Sequence, residues 1–191
     1  MTKLFLIIAT FYFSIVIECK ADTTNILITY FSKTGNTEAM ALKIKAGAES
    51  IKNTSVLLKK IEETTTSDLL NADAIIVGSP VYNANVAPAV QDFINNWPFK
   101  NAPLKNKIGA AFVTSGGISA GEELVQVNIL HSMLIFGMIV VGGSNWESAF
   151  GASAVTSEDA YKNQKINEHF LQKAFDLGSR VAEISARLRK E

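Results

Sequence analysis

Residues 25–37 of this 191-residue chain read NILITYFSKTGNT. An apolar, β-branched run, Asn25 to Phe31, passes directly into six small and polar residues, Ser32 to Thr37. A short apolar run bounded by turn-forming residues predicts a buried strand. Because an amphipathic stretch follows, from about Thr37 to Lys52, the hexapeptide joins this strand to a helix. A strand that feeds at once into a helix is the first half of a βαβ unit.

The rest of the chain repeats this alternation. Four more strands are predicted, at Ser55–Ile61, Ala74–Gly78, Lys107–Thr114 and Met138–Gly142. A short turn or helix is predicted at Thr66–Asn71, and longer helices at Val86–Trp97, Glu122–Phe136 and roughly Tyr161–Leu188. Strands alternating with helices predict an α/β fold, here a doubly wound five-stranded parallel sheet of order 2-1-3-4-5 in a three-layer α/β/α arrangement.

Composition narrows the class of function. The chain is 48% hydrophobic and has a formal net charge of zero. This much apolar sequence supports one well-packed domain rather than a disordered chain. A nucleic-acid-binding surface normally shows as a basic excess, so we expect no nucleic-acid partner. The balanced charge also disfavours a strongly acidic electron shuttle.

The N-terminus resembles an export signal. Lys3 is followed by an apolar run of 14 residues, Leu4–Ile17, and small residues, Cys19 and Ala21, stand at the −3 and −1 positions of a cleavage site before Asp22. This pattern predicts a signal peptide at residues 1–21 and an exported, periplasmic or secreted domain at 22–191, without stable membrane association after cleavage. Two alternatives remain: a retained anchor, although a span needs about 20 residues, or a lipoprotein signal at Cys19.

The predicted mature domain lacks the residues of several catalytic classes. Cleavage would remove the only cysteine, leaving no thiol nucleophile or thiolate metal site. The two histidines, His131 and His169, are far apart in sequence, so no histidine metal motif is present and we predict no metal.

The loop after the first strand has the composition of an anion site. Doubly wound sheets bind ligands beyond the carboxyl ends of their strands, at the switch between strands 1 and 3. The loop Ser32-Lys33-Thr34-Gly35-Asn36-Thr37 offers hydroxyls, backbone amides and a helix N-terminus to a phosphate. It matches neither the Walker A loop nor the dinucleotide-binding fingerprint. The alternative is an ordinary tight turn with Thr34 or Asn36 capping the helix.

Two further loops open on the same edge. Pro80-Val81-Tyr82-Asn83 follows the third strand, and Tyr82 is suited to stack on a planar ring. The alternative is that Tyr82 is a surface aromatic and Asn85 merely caps the next helix. Thr114-Ser115-Gly116-Gly117 follows the fourth strand, where small residues let backbone amides approach a ligand. The alternative there is a flexible connection. Trp146 is a further candidate for the wall of a ring site.

These residues resemble a known family. The Ser32–Thr37 loop is similar to the FMN-phosphate signature of flavodoxin-like proteins. Further segments resemble one branch of this family, the tryptophan-repressor-binding-protein-like NAD(P)H:quinone oxidoreductases and related NADPH-dependent FMN reductases. These segments are 73–82 with Asn85 and Phe93, 112–122, 137–141 and 150–153. The resemblance implies FMN held by residues 32–37, 80–83 and 114–117, NADH or NADPH as electron donor, and a quinone or similar small-molecule acceptor. It also implies that the flavin carries the chemistry, with no catalytic side chain, and by analogy a homodimer.

The chain also departs from that branch. The long insertion that those quinone reductases carry after strand 2 is missing, and a histidine that many of them place before the fifth strand is Phe136 here. The glycine-rich loop after strand 4 contains fewer glycines. Tetramer formation and quinone specificity are therefore left open. Two alternative functions remain: a flavodoxin-type one-electron carrier, and an exported binding protein without turnover.

Overall fold

The computed structural model describes residues 23–158, 161 and 165–189, so the predicted signal peptide lies outside the described residues. The elements follow in this order: β1 (Thr24–Tyr30), α1 (Asn36–Glu49), β2 (Thr54–Lys60), a 3₁₀ turn (Ile61–Glu63), α2 (Thr66–Asn71), β3 (Ala74–Tyr82), β4 (Asn85–Val86), α3 (Pro88–Asn95), β5 (Ile108–Ser115), α4 (Glu122–Ile135), β6 (Ile139–Val140), a 3₁₀ turn (Trp146–Ser148), β7 (Ala152–Val155) and α5 (Glu168–Leu188).

The sheet confirms the predicted strand order. Its path is β2-β1-β3-β5-β6, and every neighbouring pair along this path is parallel. With β5 and β6 in the fourth and fifth places, this is the order 2-1-3-4-5. Two short strands lie off the path: β4 forms an antiparallel hairpin with β3, and β7 pairs with β5 in parallel.

The fifth strand position is filled twice, which corrects the single strand predicted at Met138–Gly142. β6 pairs with Ile108–Gly109 at the start of β5, whereas β7 pairs with Phe112–Ser115 at its end. Residues 141–151 leave the sheet between the two. A Cβ on Gly142 would lie 1.8 Å from the Ala149 carbonyl oxygen, so the loop folds back on its own backbone where only glycine fits.

Two predicted helix boundaries were also wrong. The C-terminal helix begins at Glu168, not near Tyr161, because the Asn167 side chain caps it by accepting from the His169 amide at 2.9 Å. Helix α3 begins at Pro88, because Val86 pairs with Val81 in the β3–β4 hairpin. The proline stands at the first helical position, where a missing amide hydrogen costs nothing.

Helices cover both faces of the sheet, as the predicted three-layer arrangement requires. One apolar core joins α1 and α5 to the sheet, with Ile28, Ile44 and Leu177 fully buried. The other lies beneath α2, α3 and α4. No helix in the described part of the chain has both the length and the apolar character to cross a membrane.

Candidate functional site

The structure brings the three predicted loops together at the carboxyl edge of the sheet. The amide of Phe31, at the end of β1, donates to the Gly78 carbonyl oxygen of β3 at 3.1 Å. Pro80 of β3 lies opposite Thr114 of β5. A Cβ on Gly121 would lie 2.8 Å from the Ala84 Cβ, so the loops after β3 and β5 also touch. This is the switch point between β1 and β3, where doubly wound sheets bind their ligands.

The loop after β1 is shaped by Ser32 and Gly35. The Ser32 Oγ accepts hydrogen bonds from the amides of Gly35, at 3.2 Å, and Glu38, at 3.3 Å. Gly35 takes a left-handed φ of 88° and is the N-cap residue of α1. The alternative of a cap by Thr34 or Asn36 was therefore wrong, because the left-handed turn at Gly35 already sets the helix start.

This loop leaves several amide groups available. Within the residues that the structure describes, the amides of Lys33, Thr34, Asn36 and Thr37 donate to no protein acceptor. They lie at the N-terminus of the 14-residue helix α1, where the helix dipole adds partial positive charge. Lys33, Thr34 and Gly35 are exposed. Unpaired amides at a helix N-terminus, with a lysine beside them, fit a phosphate dianion.

Thr37 and Thr114 connect the first loop to the third. Their Oγ1 atoms lie 2.9 Å apart, and the two residues are only 2% and 5% exposed. The two hydroxyls share one hydrogen bond across 77 positions of sequence. The Thr37 side chain therefore holds β1's loop against the end of β5, a role that its position in the loop alone does not predict.

Replacing either threonine by valine tests this link. We expect T37V or T114V alone to lower the free energy of unfolding by about 1–3 kcal/mol, because each leaves a buried hydroxyl without a partner. The double variant T37V/T114V should lose less free energy of unfolding than the two single variants lose together, since it leaves neither hydroxyl unpaired. Urea denaturation of the four proteins measures the coupling, and strictly additive losses would contradict the shared hydrogen bond.

The second predicted loop is partly a strand. Pro80, Val81 and Tyr82 continue β3, which the sequence analysis ended at Gly78. Asn83 and Ala84, with φ of 51° and 60°, form a two-residue turn back into β4, as in hairpins with positive φ at both turn positions. Tyr82, 38% exposed, lies at the end of β3 beside this turn. Asn85 does not cap a helix: its Nδ2 donates to the Asn83 carbonyl oxygen at 2.8 Å.

The third loop forms hydrogen bonds within itself and to Glu158. The Ser115 Oγ donates to the Gly117 carbonyl oxygen at 2.9 Å. The Ile118 amide donates to the Glu158 Oε2 at 2.6 Å. A Cβ on Gly117 would lie 2.6 Å from that same oxygen, whereas one on Gly116 would meet nothing within 4 Å. A side chain at position 117 would displace the Glu158 carboxylate, whereas Gly116 has open space in front of it.

Two ionisable groups beside these loops are shifted by burial. Burial, together with the hydrogen bond that its hydroxyl donates to the Glu38 Oε1 at 3.0 Å, raises the pKa of Tyr30 to about 12. Burial also raises the pKa of the Glu122 carboxyl, and the carboxylates of Glu123 and Glu158 act in the same direction. The Glu122 Oε2 is buried without a hydrogen-bond partner among the described residues.

Sequence reasoning missed two residues that shape the site. The Ser79 Oγ accepts from the Ala87 amide at 3.0 Å and donates to the Pro80 carbonyl oxygen, which fixes the base of the hairpin. Glu158 lies 40 positions beyond the loop that it supports, and no local pattern marks it. Trp146, by contrast, is 84% exposed on the loop at 141–151, with no ring contact to the three loops.

Comparison with known proteins relates this chain to FMN reductases and flavodoxins. Residues 32–152 match the family model of the NADPH-dependent FMN reductases. A flavodoxin of Aquifex aeolicus (strain VF5) is 34% identical over 63% of this chain and 66% of its own length. A flavodoxin of Clostridium saccharobutylicum is 31% identical over 82% of this chain and 94% of its own. The NAD(P)H dehydrogenase (quinone) 3 of Rhizobium meliloti (strain 1021) is 25% identical over 85% and 92%.

A solved structure supports the fold. The flavodoxin, WrbA-like protein of Agrobacterium tumefaciens superimposes with a TM-score of 0.72 at 21% identity, covering 86% of this chain and 99% of that one. The matched family segment begins at Ser32, the first residue of the loop after β1, and ends at Ala152 in β7. It therefore includes all three loops of the candidate site, and the chain belongs to the flavodoxin-like NADPH-dependent FMN reductase family.

Proposed function

We propose that this protein is an FMN-dependent oxidoreductase that passes electrons from NADH or NADPH, through bound FMN, to a quinone or a similar small acceptor. The observation that carries the proposal is the set of unpaired amides in the loop 32–37 at the N-terminus of α1. This arrangement suits the phosphate of a flavin mononucleotide. The family match supports both the cofactor and the nicotinamide donor.

In this proposal each loop has a separate task. The unpaired amides of Lys33, Thr34, Asn36 and Thr37 would hold the phosphate, and the end of β3, with Tyr82 and Asn83, would contact the flavin ring. Thr114–Gly117 bring further amides to the ring, held by Glu158 and by the Thr37 hydrogen bond. When bound, FMN supplies the hydride and electron transfer, while the protein supplies binding, orientation and electrostatics. No side chain is required as acid, base or nucleophile.

The quinone acceptor is proposed from a relative. The Rhizobium meliloti protein is named an NAD(P)H dehydrogenase (quinone), and its match covers 92% of its own length. The second candidate function is a flavodoxin-type electron carrier, favoured by the two flavodoxin relatives. We also propose that residues 1–21 export the domain and that it forms a homodimer. Export favours the carrier, because nicotinamide cofactors are scarce outside the cytoplasm.

Anaerobic reduction separates the two candidates. The protein is reconstituted with FMN, and NADH or NADPH is added in the absence of oxygen. We expect rapid loss of the visible flavin absorbance with at least one nucleotide, much faster than for free FMN at the same concentration. The electrons should then pass to an added benzoquinone.

Two other outcomes would contradict the reductase function. If the flavin stays oxidised with both nucleotides, yet forms a stable semiquinone on chemical reduction, the protein is a carrier. A protein that binds no FMN would refute both candidates.

A further inference from the structure

The edge of the sheet opposite the candidate flavin site exposes apolar side chains. We call it the amino edge, since the strands begin there; it comprises residues 96–107, the segment 134–139, and the first and last described residues, Thr23 and Arg189. Phe99 is 65% exposed and Ile135 is 72% exposed. Both line an open cavity of 410 Å³ together with Phe136 and Lys105. Large apolar side chains grouped around one exposed cavity are typical of an interaction surface.

The amino edge is also basic, although the whole chain has no net charge. Lys100 and Lys105 are exposed and, among the described residues, form no ion pair. The Asp73 carboxylate at this edge is paired with Arg189 at 2.6 Å. No acidic residue falls within residues 96–107 or 134–139, whereas six lie around the carboxyl edge, at Glu38, Glu62, Glu63, Glu122, Glu123 and Glu158. Together the two segments 96–107 and 134–139 are therefore basic.

The chain enters the domain at this same edge. Thr23 precedes β1, and its carbonyl oxygen accepts from the Arg189 guanidinium at 2.8 Å. Only five residues, 18–22, separate the apolar run Leu4–Ile17 from Thr23. An extended linker of this length spans at most about 20 Å, because each residue adds roughly 3.5 Å. If the run is retained as an anchor, the amino edge is held close to the lipid surface.

We propose that the amino edge is a membrane-contacting surface for lipids with anionic headgroups. Phe99 and Ile135 enter the interface, and Lys100 and Lys105 face the headgroups. The candidate flavin site then lies on the far edge, roughly 25 Å away for a strand of seven or eight residues, and is open to the aqueous side. A second copy of the chain fits this surface less well, since pairing two amino edges would bring lysines against lysines.

Partitioning of the full chain onto vesicles tests the charge. On vesicles of phosphatidylglycerol and phosphatidylcholine, we expect K100E/K105E to lower the partition coefficient by about 25-fold or more, from roughly fivefold per lysine. On pure phosphatidylcholine the variant and the parent protein should differ little. The N-terminal run contributes equally to the binding of both proteins. The ratio of their partition coefficients therefore reports the contribution of the amino edge alone. F99S/I135S should weaken binding to both kinds of vesicle.

Matched controls come from elsewhere on the surface. Leu42, exposed on α1, and Arg180, exposed on α5, lie outside the amino edge. L42S and R180E should therefore partition like the parent protein. Thermal unfolding of each variant establishes that the fold is intact.

Hydrogen exchange on the unmodified chain locates the contact without any variant. Amides of residues 99–106 and 134–139 should exchange more slowly when vesicles are present, while those of residues 32–37 and 82–85 should not change. Unchanged exchange at the amino edge would overturn the proposal, as would equal partitioning of K100E/K105E and the parent protein. Protection that appears without lipid and grows with protein concentration would assign the surface to a second copy instead.

Discussion

The variant T34E is expected to raise the dissociation constant for FMN by at least a hundredfold. Thr34 is exposed in the loop whose unpaired amides we assign to the phosphate. A carboxylate at roughly 5 Å from a phosphate costs about 3 kcal/mol for each negative charge of the phosphate, at an effective dielectric constant of about 20. Because the side chain is exposed and makes no hydrogen bond with another described residue, the fold should tolerate the change. Quenching of flavin fluorescence on titration measures the affinity.

Two controls make this result specific to the phosphate. Glutamine has nearly the same shape as glutamate but no charge. The affinity of T34Q for FMN should therefore stay close to that of the parent protein. Riboflavin has the same ring but no phosphate, and its weaker affinity should hardly differ between T34E and T34Q. Equal weakening of riboflavin and FMN by T34E would place the ring, not the phosphate, beside this loop.

The second large effect concerns the helix pair that supports the phosphate loop. A Cβ on Gly178 of α5 would lie 2.0 Å from the Ile44 carbonyl oxygen of α1, and one on Gly47 would lie 1.9 Å from the Phe175 carbonyl oxygen. Backbone atoms cannot move aside unless a helix shifts. We expect G178A to lower the free energy of unfolding by about 3 kcal/mol through overpacking, despite the gain in helix propensity from alanine.

The matched control is G116A, which makes the same chemical change where a Cβ would meet nothing within 4 Å. It should alter the free energy of unfolding by no more than about 0.5 kcal/mol. Urea denaturation compares the two variants with the parent protein. If G178A proves as stable as G116A, helices α1 and α5 do not pack through their backbones. Since α1 carries the phosphate loop at its N-terminus, G178A should also weaken FMN binding.

Local signals predicted the elements whose ends are set by nearby residues. Helix α2 has the predicted bounds, Thr66–Asn71, because Thr65 and Asp68 form a capping box encoded within four residues. The long strands and the loops after them were likewise recognisable, since apolar runs and turn residues are properties of short stretches. The strand order followed from the right-handed crossover rule.

Elements that depend on a distant partner were not predictable in this way. Strand β7 has four residues and exists because the end of β5 offers a free edge to Ala152–Val155. The hairpin after β3 requires a positive φ at Ala84. Alanine disfavours this conformation, so the local sequence does not predict the turn. In both places tertiary pairing overrides the local preference of the chain.

The sequence by itself determined the fold, the order of the strands, and the three loops that share one edge. Only the tertiary structure decided how the polar groups of those loops are used. In that structure Thr37 is hydrogen-bonded to Thr114, and the amides of Gly35 and Glu38 donate to the Ser32 hydroxyl, while neighbouring amides stay unpaired. The physical reason is that periodicity and turn chemistry act over a few residues. Hydrogen bonds between side chains 77 positions apart depend instead on how the packed sheet brings their backbones together.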